Sequence, residues 1–131
     1  MSRYIKLGGL AAGVMLVAAG ADAATLPLKA GTYVREGSAC RQAPFAVQFN
    51  YASGAFSYPH ATQCRSTIVR HQGRSYVVNE TCAALGDGTP AKADALTTRY
   101  RVLSPSRVEV QKLSVADRTV AIYRRCPVEV N

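Results

Sequence analysis

Thr98-Arg99-Tyr100-Arg101-Val102-Leu103-Ser104-Pro105-Ser106-Arg107-Val108-Glu109-Val110-Gln111 is the stretch that decides the fold class. Apolar side chains stand at every second position on both sides of Ser104-Pro105-Ser106, the period of a strand whose two faces meet different surroundings. Centring the turn on Pro105 sets Val102 opposite Val108, Tyr100 opposite Val110 and Arg101 opposite Glu109. A slip of one residue would put Val102 against Glu109, so the pattern specifies its own register. Such a hairpin buries Tyr100, Val102, Val108 and Val110 and turns Arg99, Arg101 and Arg107 to the opposite face.

Period-two alternation recurs on either side of this hairpin. Gly31-Thr32-Tyr33-Val34-Arg35-Glu36 reads as a first strand. Arg65 to His71 and Arg74 to Cys82 read as another hairpin with Gln72-Gly73 as its loop, which sets Val69 opposite Tyr76, Thr67 opposite Val78 and Arg65 opposite Glu80. Arg118 to Cys126 carries Val120 and Ile122 on one face and Ala121 and Tyr123 on the other, so it calls for a neighbour on each side. Residues 44–51 fit two structures. Pro44 suits a first helical position and Gly54 a stop, whereas Phe45, Val47, Phe49 and Tyr51 alternate as a strand would; a short helix is the expectation carried forward. Residues 83–92 are turn-rich, with no strand pattern. The expected architecture is mainly β: a small antiparallel sheet or partly closed barrel of six to eight strands, with at most one short helix and two disulfides.

Ahead of this domain the chain opens Met1-Ser2-Arg3-Tyr4-Ile5-Lys6, two positive charges and no acid, followed by an apolar run from Leu7 to Ala21. That order is the n-region and h-region of a secretory signal, and Ala21-Asp22-Ala23 supplies the small residues of a cleavage site. The run is roughly 15 residues where a membrane span needs about 20. Residues 1–23 are therefore expected to be a signal peptide cut after Ala23, and residues 24–131 a single domain in the periplasm or outside the cell, with no transmembrane anchor after processing. The nearest cysteine to the junction is Cys40, which excludes a lipid-modified N-terminal cysteine.

Cys40, Cys64, Cys82 and Cys126 make an even set behind a signal segment, which reads as two disulfides in an oxidising compartment. Their spacing contains no C-x-x-C and the chain has only two histidines, His60 and His71; no metal and no cofactor is expected. Chain direction suggests a pairing. If the first strand runs up, Cys40 lies at the top, Cys64 begins a strand beside it, and the hairpin returns Cys82 to the top. Three further strands of a meander would leave Cys126 at the bottom unless the linker 83–94 crosses the sheet from end to end. On that crossing Cys40 pairs with Cys64 and Cys82 with Cys126; the rival joins Cys64 to Cys82 and Cys40 to Cys126.

Loss of residues 1–23 leaves 14 basic and 7 acidic side chains, so the positive charge belongs to the domain itself. Enzymatic activity is not expected: no nucleophile-elbow pattern surrounds Ser57 or Ser66, no thiol is left free, and no acidic pair is spaced for glycoside cleavage. The compartment and the lack of a reader motif speak against nucleic acid. Sugar binding is weakened by the absence of tryptophan and by tyrosines at strand positions that a core would use. What remains is a non-enzymatic binding domain that meets an anionic envelope component through Arg99, Arg101 and Arg107. The densest polar and aromatic segment, Tyr58 to Arg65, adds His60 and Arg65 as binding candidates. The alternative is an inhibitor of a secreted hydrolase, a lysozyme or protease, acting through an exposed loop at residues 57–63.

Overall fold

The computed structural model describes Gly13, residues 25–92 and residues 95–127. Apart from Gly13, the signal segment 1–23, its cleavage junction and the domain start at residue 24 lie outside the described residues. Among the described residues, eight antiparallel strands form one sheet: β1 (Gly31–Arg35), β2 (Gln48–Ala52), β3 (Ala55–Ser57), β4 (Ala61–Gln72), β5 (Ser75–Leu85), β6 (Ala95–Ser104), β7 (Arg107–Lys112) and β8 (Val120–Arg125). Their spatial order is β3-β2-β1-β8-β7-β6-β5-β4. The sheet curls until its edges meet, where the Phe56 amide of β3 donates to Ser66 Oγ of β4 at 3.1 Å. The result is a nearly closed, mainly β barrel, an arrangement that leaves little unpaired edge.

The β6–β7 hairpin has the register its sequence specifies, with Val102 opposite Val108, Tyr100 opposite Val110 and Arg101 opposite Glu109. Strand β8 lies between β7 and β1, so it has the neighbour on each side that the sequence called for, although Val120 on its outer face stays exposed. Inside the barrel Phe49 stacks on Tyr33 at 5.2 Å between centroids and Phe56 on Tyr100 at 4.1 Å, and Phe49 also meets Phe56, Tyr100 and Tyr123. One end is plugged by the segment before β1. Leu26 and Leu28 are buried there, the Leu26 amide donates to the Tyr51 hydroxyl at 2.8 Å, and the Lys29 amide donates to the Pro105 carbonyl at 2.7 Å. The opposite end, where β6 begins and β7 finishes, is open.

Three expectations are corrected. Residues 44–51 do not form a helix beyond a 3-10 turn at Phe45–Val47; from Gln48 the chain is strand, with Phe49 and Tyr51 buried. Gly54 is no helix stop. With Ser53 at φ 53° and Gly54 at φ 73°, the pair makes the two-residue turn with two positive φ values that joins twisted strands.

The β4–β5 hairpin turns at Gly73-Arg74, with Gln72 opposite Ser75 and His71 opposite Tyr76. Gly73, at φ 58°, takes the first turn position, which suits glycine in a type II′ turn. A bulge between Ile68 and Arg70 then shifts the ladder, so that Ile68 faces Val78, Ser66 faces Glu80 and Arg65 faces Thr81. The expected pairs Val69–Tyr76, Thr67–Val78 and Arg65–Glu80 are absent from the ladder.

The disulfides join Cys40 to Cys126 and Cys64 to Cys82, not Cys40 to Cys64 and Cys82 to Cys126. The open-meander assumption fails because β8 returns to pair with β1, bringing Cys126, whose amide donates to the Thr32 carbonyl at 2.7 Å, beside the segment after β1. Strands β4 and β5 also extend far enough to make Cys64 and Cys82 a directly opposed pair. No crossing of the sheet is needed: β5 and β6 are neighbours.

Candidate functional site

Two surfaces carry chemistry, the outer face of β4 to β7 and the open end of the barrel. On the outer face the inward burial of Thr98, Tyr100 and Val102 leaves Arg99 and Arg101 exposed. Arg99 Nη1 donates to Gln111 Oε1 at 3.0 Å, and Arg101 Nη1 stands 3.9 Å from Glu109 Oε2. Arg107, at the Pro105 end, is held by both oxygens of Glu36, at 2.7 and 3.1 Å. The hydrogen bond from Arg107 keeps the Glu36 carboxyl below the usual carboxylate range.

The register brings in an arginine that the sequence did not single out. Arg70 and Arg99 are the two cross-strand partners of Val77, so all three share the outer face, with the arginines about 10 Å apart across two strand spacings. Strict alternation would put Arg70 on the inner face with Ile68; the bulge between them reverses it. Arg65 is also exposed on β4, opposite Thr81. His60 belongs elsewhere: it lies in the turn between β3 and β4, its ring 5.6 Å from that of Tyr58.

That turn sits at the open end. Tyr58 and Ala61 exchange backbone hydrogen bonds at 3.1 Å, so residues 58–60 form a tight connection, and the rest of 57–63 belongs to β3 and β4. The Tyr58 hydroxyl donates to Glu80 Oε2 at 2.7 Å, Thr98 Oγ1 donates to the same oxygen at 3.3 Å, and the Tyr100 hydroxyl donates to Oε1. Glu80 is 1% exposed. Burial raises its pKa above the usual carboxylate range, against the three hydroxyl donors and the charge of Lys112. Burial likewise pushes Tyr58 and Tyr100 well above the ordinary phenol range, which keeps both as donors.

Above Glu80 opens a cavity of about 290 Å³, walled by Ala84, Leu85 and Leu96 and flanked by His60, Lys92 and Lys112. The sequence reading put Glu80 on the same face of its strand as Tyr76 and Val78 but opposite Arg65, as an ion pair, and so did not single it out; its cross-strand partner on β4 is Ser66.

Among the described residues, no group of three or more His, Cys, Asp or Glu side chains is placed to hold a metal ion, and no helix is long and apolar enough to cross a membrane. Compared with protein families, curated proteins and solved structures, the chain matches none.

Proposed function

We propose that the chain is an exported, non-enzymatic binding domain whose outer face, built on Arg70, Arg99 and Arg101, holds an anionic polymer of the cell envelope. The observation that supports this most directly is the flanking of Val77 by Arg70 and Arg99, with no carboxylate within ion-pair distance of either among the described residues. At about 10 Å in water a single charge pair contributes only about 0.4 kcal/mol. The fitting partner is therefore a repeating anion that meets several guanidinium groups at once. Two disulfides agree with an oxidising compartment, and an N-terminal signal would deliver the chain there. Because only His60 and Gln63 of residues 57–63 are exposed, that segment presents little surface to an enzyme, and the arginine face is preferred to the rival reading of a hydrolase inhibitor.

The test is retention on immobilised lipopolysaccharide across a salt series. Replacing Arg70, Arg99 and Arg101 together by Gln should reduce retention at least tenfold at low salt. Wild-type retention should fall away as the screening length shortens from about 10 Å at 0.1 M to about 3 Å at 1 M. Equal retention of the two proteins, or indifference to salt, would overturn the reading.

A further inference from the structure

The open end of the barrel has a floor that the outer face does not use. Three hydroxyls donate to Glu80, filling three of the roughly four acceptor positions of a carboxylate. All three donors are neutral, and among the described residues no cation stands within ion-pair distance of Glu80. The charge of Lys112 reaches Glu80 only from beyond that distance, and a buried carboxylate with no cation in direct contact is costly. Its walls, Ala84, Leu85 and Leu96, are apolar, and its rim carries Lys92 and Lys112.

Polarity thus runs from negative at the floor, through apolar walls, to positive at the rim. A simple cation would be repelled at the rim and a simple anion at the floor. A molecule with an ammonium at one end, a carboxylate at the other and an apolar body between them satisfies all three zones. At about 290 Å³ the cavity lies just below the usual range of small-molecule sites, about 300 to 1,000 Å³, which suits a di- or tripeptide better than a larger ligand.

We propose that the barrel mouth binds a short peptide of apolar residues, with its N-terminal ammonium on Glu80, its side chains against Leu96 and Ala84, and its C-terminal carboxylate at Lys92 and Lys112. This site is separate from the arginine face, and the Arg70, Arg99 and Arg101 triple variant should keep it.

The experiment is titration of the purified protein with the dipeptide Ala-Leu, followed by calorimetry and by amide chemical shifts. Saturable binding is expected, with shifts concentrated at Cys82, Ala84 and Leu96. N-acetylation of the dipeptide should weaken binding at least tenfold, and Glu80→Gln should do the same. Leu96→Trp fills the cavity while leaving Glu80 and its three hydroxyl donors in the chain and should abolish binding, which keeps the test decisive if Glu80→Gln does not fold. No saturable binding, indifference to N-acetylation, shifts away from the mouth, or full binding by Leu96→Trp would each overturn the proposal.

Discussion

Gly86 lies directly against Pro59: a Cβ at position 86 would stand 2.0 Å from the Pro59 carbonyl oxygen and 3.1 Å from its carbon. The connection after β5 and the turn after β3 therefore touch backbone to backbone, which only glycine permits. Gly86→Ala must push the turn outward, and with it Tyr58, whose hydroxyl holds Glu80. The expected cost is about 1–3 kcal/mol, as for other forced insertions into packed sites. Urea denaturation measures it; wild-type stability in this variant would show that the two segments separate freely.

Glu80 gives a pH signature with a defined sign. Its folded-state pKa is raised, chiefly by burial, so its contribution to stability is fully present below the unfolded-state pKa and is lost as pH rises through the folded-state value. The exposed carboxyls Glu36, Asp87 and Asp117 are lowered by hydrogen bonds, and their contribution is lost instead as pH falls. The comparison that isolates Glu80 is the denaturation midpoint of wild type and Glu80→Gln from about pH 4 upward. The wild type should lose stability relative to the variant as pH rises. Parallel profiles would contradict a raised Glu80.

Arg107 should count for less in polyanion binding than Arg99, although both face outward on the same hairpin. Glu36 holds the Arg107 guanidinium with two hydrogen bonds, whereas the partner of Arg99 is the neutral amide of Gln111. Arg99→Gln should lower retention on an anionic resin severalfold and Arg107→Gln only slightly, with folding nearly intact in both. Equal effects would mean that total charge, and not the face around Val77, governs retention.

The two disulfides should differ in what they contribute. Cys40–Cys126 spans 86 residues and Cys64–Cys82 only 18. Chain entropy then assigns about 4.5 kcal/mol to the first and about 3 kcal/mol to the second. Paired Cys→Ser replacements, compared by denaturation, should reproduce that order, and a peptide map of the unreduced protein should show these two pairs.

How far the fold was legible depended on whether a local pattern named its own partner. The hairpin around Pro105 did, because only one register sets Tyr100, Val102, Val108 and Val110 on one face. The hairpin at Gly73 did not: its alternation tolerated a shifted turn, and neither the demand of a tight turn for glycine nor the bulge beside Val69 can be read from polarity alone. Barrel closure was less legible still. Nothing local to Tyr33 or Arg125 announces that they pair, and the disulfide assignment failed with that omission. Arg99 and Arg101 were placed correctly by alternation, Arg70 was hidden by the bulge, and Glu80 was obscured by attractive but incorrect charge pairing with Arg65.

The pairing of β8 with β1 also orders events in time. Hairpins β4–β5 and β6–β7 can form from adjacent sequence, but the ring is sealed only when Tyr33 meets Arg125 from the far end of the chain. Such distant contacts bring their loop-closure entropy before any reward, and proteins dominated by them fold in milliseconds to seconds. In an oxidising medium Cys64 can therefore join Cys82 early, while Cys40 must wait for the last strand to arrive.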